Sequence, residues 1–85
     1  MATTGIELDL HSLRVDEAIP KIDLFLHDAF RAGLHRVRII HGKGSGVLRQ
    51  EVGRYLSGHP LVRSYGQADR YHGGFGATEV ELSAK

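Results

Sequence analysis

Residues 6–11 alternate apolar and polar at every position, Ile6-Glu7-Leu8-Asp9-Leu10-His11, which is the period of a strand with one buried face. Ile6, Leu8 and Leu10 point one way, and Glu7, Asp9 and His11 the other. From about residue 16 to 32 the period lengthens to that of a helix, with Ala18, Ile19, Ile22, Phe25, Leu26, Ala29 and Phe30 on one side. Asp16 offers an N-cap and Gly33 a C-terminal stop. Pro20 conflicts with a helix interior, because it lacks the amide hydrogen and crowds the preceding turn. An irregular first turn, or a later start, is therefore expected. Residues 36–41 read as a second strand, 42–46 as a glycine-rich loop, and 47–57 as a second helix burying Leu48, Val52, Tyr55 and Leu56. Gly58-His59-Pro60 breaks the chain. Residues 61–65 form a third strand, 69–76 a glycine-rich turn, and 77–82 a fourth strand that alternates Thr78, Val80 and Leu82 with Glu79 and Glu81.

The order is β-α-β-α-β-β. Strand–helix–strand connections are right-handed crossovers between parallel strands, so the first three strands are expected to be parallel and the fourth to return as an antiparallel hairpin. Strands covered on both faces read as continuous apolar runs, whereas the first and last strands here carry acids on alternate positions. Both helices are therefore expected on one side of a four-stranded mixed sheet, leaving a polar face open. This is a two-layer α/β sandwich. Residues 1–5 read as a disordered lead-in, and residues 6–85 as a single domain.

Eighty-five residues allow one modest core, with roughly 5,000 Å² of surface expected after folding. Hydrophobic residues at 41% and charged residues at 25% are ordinary globular values and argue against disorder. No apolar run has the length of a membrane span, and the N-terminus lacks the regions of a signal peptide. With no cysteine, thiolate metal sites, disulfides and cysteine nucleophiles are excluded. A net charge of +1 does not by itself mark a nucleic-acid binder. Eight of the eleven basic residues are arginine, the side chain suited to bidentate phosphate contact.

Ligands of an open α/β sheet bind beyond the carboxyl ends of its parallel strands, and two polar segments fall there. Asp9 and His11 are two apart at the end of the first strand, so on a pleated strand both leave the same face, their Cα atoms about 6.6 Å apart. Such a pair serves as an acid–base couple, as part of a metal site, or as a solvated hydrogen-bonded pair. At the end of the second strand, His41-Gly42-Lys43-Gly44-Ser45-Gly46 opens directly into a helix N-terminus. Three glycines admit close approach of an anion, and Lys43 adds charge, so phosphate binding is favoured over a turn that merely needs positive φ. The loop is neither a Walker A sequence nor a dinucleotide fingerprint. Gly73-Gly74-Phe75-Gly76 is ordinary hairpin punctuation, or a segment bringing a stacking aromatic to the site. No paired-histidine motif indicates structural zinc. An acid–imidazole pair beside a phosphate cradle on an open polar face is best matched by a phosphodiester backbone. Arg14, Arg38, Arg49, Arg54 and Arg63 extend the contact by charge. No row of exposed aromatics indicates base reading, so shape is expected to be recognised over sequence.

Leu8 to His11 (L-D-L-H), Ile39 to Arg49 (I-I-H-G-K-G-S-G-V-L-R) and Gly73 to Leu82 (G-G-F-G-A-T-E-V-E-L) together resemble the small MutS-related (Smr) domain, over nearly the whole chain. The last segment is most similar to the form at the C-terminus of bacterial MutS-like proteins that suppress recombination or act on stalled ribosomes. The resemblance implies a fold similar to the C-terminal domain of translation initiation factor three. It also implies nucleic-acid binding and, in many members, endonuclease activity on DNA or RNA. By matching position Asp9 and His11 are the D-x-H pair associated with cleavage, and His41, Gly42, Lys43 and Gly44 the H-G-x-G loop. Ser12 stands where glycine or arginine is common, and the MutS-linked branch often has arginine at the position of His11. The sequence thus combines features of two branches.

The resulting expectation is a structure-selective endonuclease that nicks branched or structured DNA or RNA. Asp9 orients a water directly or through a divalent cation, and His11 or His41 moves the proton. Gly42, Lys43, Gly44, Ser45, Gly46 and Arg49, with Arg14, Arg38, Gly74 and Gly76, contact phosphate. Asp9 is the best candidate metal ligand, and magnesium or manganese an optional cofactor, since one carboxylate and one imidazole are a sparse set. The alternative is a non-catalytic module docking a larger MutS-like ATPase, to which it is covalently linked, onto branched DNA or the ribosome. A small phosphate-metabolite enzyme fits least, for want of a closed pocket. The expected location is the bacterial cytoplasm or nucleoid, with no membrane partner.

Overall fold

The computed structural model describes residues 7–44, 46–72 and 74–83. The expected lead-in at 1–5, with Ile6, Ser45 and Gly73, lies outside the described residues. The elements are β1 (Glu7–Asp9), α1 (Val15–Arg31), β2 (Arg36–Ile40), α2 (Val47–Ser57), β3 (Val62–Gln67) and β4 (Ala77–Leu82), with two 3-10 turns between the last two strands.

The sheet runs in the order β1-β2-β4-β3. β1 pairs parallel with β2, while β4 pairs antiparallel with β2 on one side and β3 on the other. The first three strands therefore share one direction, as expected from the crossovers. β4 lies between β2 and β3 instead of at an edge. Alternation decides the faces. Leu8, Leu10, Val37, Ile39, Val80 and Leu82 join Ala18, Ile22, Leu26 and Ala29 of α1 and Val52 and Leu56 of α2 in one core. Both helices thus cover one face of the sheet. The total surface is 5399 Å².

On the other face Arg38 of β2 is registered against Glu7 of β1 and Glu79 of β4. Its Nε donates to Glu79 at 2.6 Å and its Nη1 to Glu7, so one guanidinium ties three neighbouring strands. The two carboxylates raise the Arg38 pKa further, Glu79 contributing most.

Three local expectations are corrected. α1 begins at Val15, and its N-cap is Arg14, not Asp16. Glu17 is the reason, accepting the Arg14 amide at 2.9 Å from the third helical position. The helix also passes through Pro20. The missing donor there leaves only the carbonyl of Asp16, an exposed residue of the first turn that water can serve. Finally, β1 ends at Asp9 because the chain turns at residues 10–13, closed by the Leu13 amide on the Leu10 carbonyl at 3.0 Å. Ser12 at its third position has φ +77°, a site that ordinarily favours glycine. The glycine stop of α1 is as expected: Gly33 has φ +80°, and the Leu34 amide reaches back to Ala29 at 3.0 Å.

Behind the sheet, Asp23 of α1 collects three partners on one carboxylate oxygen. Tyr55 donates at 3.0 Å, His59 Nε2 at 2.9 Å, and His27 Nε2 lies 3.4 Å away. His59 and then Tyr55 hold the Asp23 carboxyl below its usual range. Burial and Asp23 push Tyr55 up to about 12. The signs follow from linkage. A depressed carboxyl adds stability that is present above its unfolded value of 3.8 and lost as pH falls through the lower folded value. A raised phenol adds stability that is present below 10.0 and lost as pH climbs towards about 12. Urea midpoints are therefore expected to fall at both ends of the pH scale. Asp23→Asn should flatten the acid limb and Tyr55→Phe the alkaline one; unchanged limbs would refute the assignment.

Candidate nucleic-acid interface

Asp9 and His11 meet, for a reason other than the pleat. His11 lies in the turn after β1, and Asp9 Oδ1 accepts both its backbone amide at 3.1 Å and its ring Nδ1 at 2.6 Å. This is an Asx-type turn closed a second time by the imidazole. A carboxylate can only accept, so the proton sits on Nδ1. His11 then presents Nε2 outward, and more than half of each side chain is exposed. Both His11 contacts, the ring first, hold the Asp9 carboxyl below its usual range.

His41 is placed differently. It continues the inward alternation of Val37 and Ile39, and only 4% of it is exposed. Its Nδ1 donates to the Gly42 carbonyl at 3.0 Å, and Nε2 lies 2.9 Å from the Thr78 hydroxyl. Since Gly42 O only accepts, Nδ1 carries the proton and Nε2 accepts from Thr78 in the neutral ring. Both nitrogens are used inside the protein. The expected proton-shuttling role of His41 therefore lacks a free nitrogen.

The loop after β2 hangs from the last glycine segment. The His41 and Gly42 amides both donate to the Gly76 carbonyl at 2.9 Å. Gly42 has φ +80°, and a β-carbon there would lie 3.3 Å from His11 Cβ. Its backbone thus passes directly under the Asp9–His11 turn. The Gly42 amide is already taken, so its part is to leave room, not to donate to phosphate. Gly76 is buried and packs on the Lys43 side chain and Gly42. Gly74 closes its own turn through a hydrogen bond from its amide to the Asp69 carbonyl at 2.9 Å. Both therefore act from behind the loop.

The N-cap of α2 is Gly46, with φ +87° and no side chain to cap with, and the first turn holds no acid. The positive end of its dipole is thus not offset by an acidic residue of its own first turn. Lys43 and Arg49 stand beside it, with no carboxylate partner among the described residues. A depression of about 190 Å³ joins Ser12, His41, Gly42, Lys43, Gly44 and Arg49. The other predicted phosphate residues diverge. Arg38 is committed to Glu7 and Glu79 on the open face. Arg14 sits at the start of α1, 3.5 Å from Asp16.

Sequence reading offered Phe75 as a stacking aromatic but missed Tyr65 and Tyr71. Tyr65, Tyr71 and Phe75 are exposed, and the Arg49 guanidinium lies 5.5 Å from the Phe75 ring centre. Tyr65 lines a recess beside α2, and Tyr71 a different one beside Lys43 and Arg38.

The donor set for a cation at Asp9 is thin, one of its two oxygens being held by His11 while Glu7 and Glu79 hold Arg38. Among the described residues three metal-ligating side chains converge only at Asp23, His27 and His59. There His59 Nδ1 accepts the Leu61 amide at 3.1 Å, which puts the ring proton on Nε2. A ligating histidine instead donates through its second nitrogen. That cluster is a hydrogen-bonded clamp.

A sequence model of the Smr domain matches residues 8–83. Over 77 residues the chain is 49% identical to "Endonuclease MutS2" of Pelotomaculum thermopropionicum, covering 91% of this chain and 10% of that protein. The protein of the same name from Thermomicrobium roseum is 47% identical over 76 residues, with coverage of 89% and 10%. The chain thus spans about a tenth of the curated relatives it matches. The crystal structure of the Smr domain of Thermus thermophilus MutS2 superposes with a TM-score of 0.90 at 40% identity, covering 92% of this chain and 98% of that one. YdaL, a stand-alone small MutS-related protein from Escherichia coli, superposes with a TM-score of 0.85 at 35% identity, covering 89% and 63%.

Proposed function

This chain belongs to the Smr domain family, and from that premise we propose that it is a nucleic-acid-binding endonuclease module that nicks branched or structured substrates. The observation that carries the reading is the Asp9–His11 pair standing over Gly42, beside Lys43 and the acid-free first turn of α2.

The phosphate rests against Lys43, Gly44 and the first turn of α2, where amides and dipole favour an anion. Asp9 fixes the ring and tautomer of His11, as the carboxylate does in acid–imidazole dyads. His11 Nε2 takes a proton from the attacking water as its oxygen bonds to phosphorus. The phosphorus–oxygen bond to the leaving strand breaks, and the imidazolium returns the proton to that oxygen. Lys43 and Arg49 offset the charge that grows on the phosphoryl oxygens. His41 is a positioning residue that fixes the loop. No step is routed through magnesium or manganese, because the ligands around Asp9 are too few for either ion.

In this reading the module serves a larger MutS-like protein in the bacterial cytoplasm, and the substrate is branched DNA or the RNA of a ribosome. Single-turnover cleavage of end-labelled branched DNA, duplex DNA and structured RNA, with magnesium, manganese or chelator, tests it. One substrate should be cut, and Asp9→Asn should slow cutting while filter binding persists. Binding without cutting by the unaltered chain would replace the nuclease with a docking module. Equal cutting by both forms would mean that other residues, or a contaminant, do the chemistry.

A further inference from the structure

The depression at the phosphate loop does not end at α2. Gly46 and Arg49 also line a larger recess of about 590 Å³ between α2 and β3, together with Gln50, Gly53, Arg54 and Tyr65. The two form a continuous track leading from the loop to the edge strand. No acidic residue lines either part. Arg54 does pair with Glu51 at 3.3 Å, but an exposed ion pair of this kind holds its arginine weakly.

The walls of the recess combine charge with a flat ring. The ring in the wall is Tyr65, 42% exposed; Phe75, outside the lining but 5.5 Å from the Arg49 guanidinium, is 59% exposed. Opposite Tyr65 the helix wall is Gly53, in mid-helix, where glycine costs about 1 kcal/mol relative to alanine. A β-carbon at Gly53 would meet Tyr65 Cε2 at 3.7 Å, an ordinary contact. Packing of the helix therefore does not require glycine. Without a side chain at Gly53, the Cε2 edge of Tyr65 stays uncovered on the helix side.

Arginines for phosphates and accessible rings for bases are the two components of a single-strand binding groove. A recess of this volume has the size of a site for one compact organic ligand, which suits a nucleotide and excludes a duplex. We propose that the α2–β3 groove seats an unpaired strand of the substrate, with phosphates on Arg49 and Arg54 and a base stacked on Tyr65. The proposal rests on the nucleic-acid reading above and names its substrate class. The domain grips the unpaired arm of a branched substrate and presents the adjoining phosphate to His11.

Fluorescence anisotropy tests this with a single-stranded oligonucleotide, the matching duplex, and a fork bearing one unpaired arm. A 2-aminopurine in the arm reports stacking. Tyr65→Ala should weaken single-strand and fork binding about five- to hundredfold, leave duplex binding unchanged, and abolish the quenching of 2-aminopurine. Tyr65→Phe should restore both. Gly53→Leu, which favours the helix yet fills the groove, should act like Tyr65→Ala. Unchanged fork binding in both Tyr65→Ala and Gly53→Leu would overturn the groove while leaving the nuclease reading intact. Failure of the unaltered chain to bind any of the three at low salt would remove both.

Discussion

His11→Ala is expected to slow single-turnover cleavage by about 10²- to 10⁴-fold, the range typical of one positioned acid–base group. Affinity for the substrate should hardly change. His11 carries no fixed charge towards the phosphate when neutral, and binding falls to Lys43, Arg49 and the α2 terminus. The pH–rate profile makes the test specific. An imidazole that accepts a proton gives an acid limb, and that limb should vanish with the ring. Asp9 does not supply such a limb in the same range, because its contacts with His11 keep its carboxyl ionised to lower pH than usual. A log–log plot of affinity against salt should have the same slope for His11→Ala and the unaltered chain, since no phosphate contact is lost. A rate within an order of magnitude of the unaltered chain, with the acid limb intact, would take His11 out of the chemistry.

His41→Ala is expected to act on stability, and strongly. The ring is buried, and its loss removes hydrogen bonds to Gly42 and Thr78 while opening a cavity beneath the loop. Lost packing and a stranded Thr78 hydroxyl together cost about 2–4 kcal/mol. For a domain of this size that lowers Tm by about 10–25 °C. Thr78→Val removes one end of the same bond and should cost less. His41→Asn keeps an amide able to donate to Gly42 and should recover part of the loss. Below its own Tm, His41→Ala should still cut, with weakened substrate binding as the main defect. A fully stable His41→Ala protein with no cleavage would instead restore the proton-shuttling role that its sequence position suggests.

That contrast shows where the sequence was legible. α2 and β4 fall where periodicity places them, because their inward positions repeat without interruption. The same rule held the answer for His41: two residues beyond Ile39, it continues the inward set and was bound to be covered. Its chemistry as a type of residue drew attention away from its place in the pattern. Asp9 and His11 were correctly paired, though the pleat was the wrong cause; the turn at Ser12 brings them together. Arg38 looked like a phosphate contact because its neighbours on β1 and β4 are set by register, which a single strand does not disclose. The groove was hidden for a similar reason. Tyr65 and Gly53 are twelve residues apart and face each other only because α2 packs on β3.

The place of β4 bears on how the domain comes into being. It is the last strand in the chain, yet it is central, hydrogen-bonded on both sides. As a polypeptide emerges N-terminus first, β1 and β2 can pair early, but β3 has no strand to pair with until β4 arrives. The loop shares that delay, because the amides of His41 and Gly42 have their acceptor only in Gly76, directly before β4. During synthesis, then, the loop after β2 takes its final shape after nearly all of the domain has been made. A nascent chain halted before residue 76 has the residues of the loop without the acceptor that gives the loop its shape.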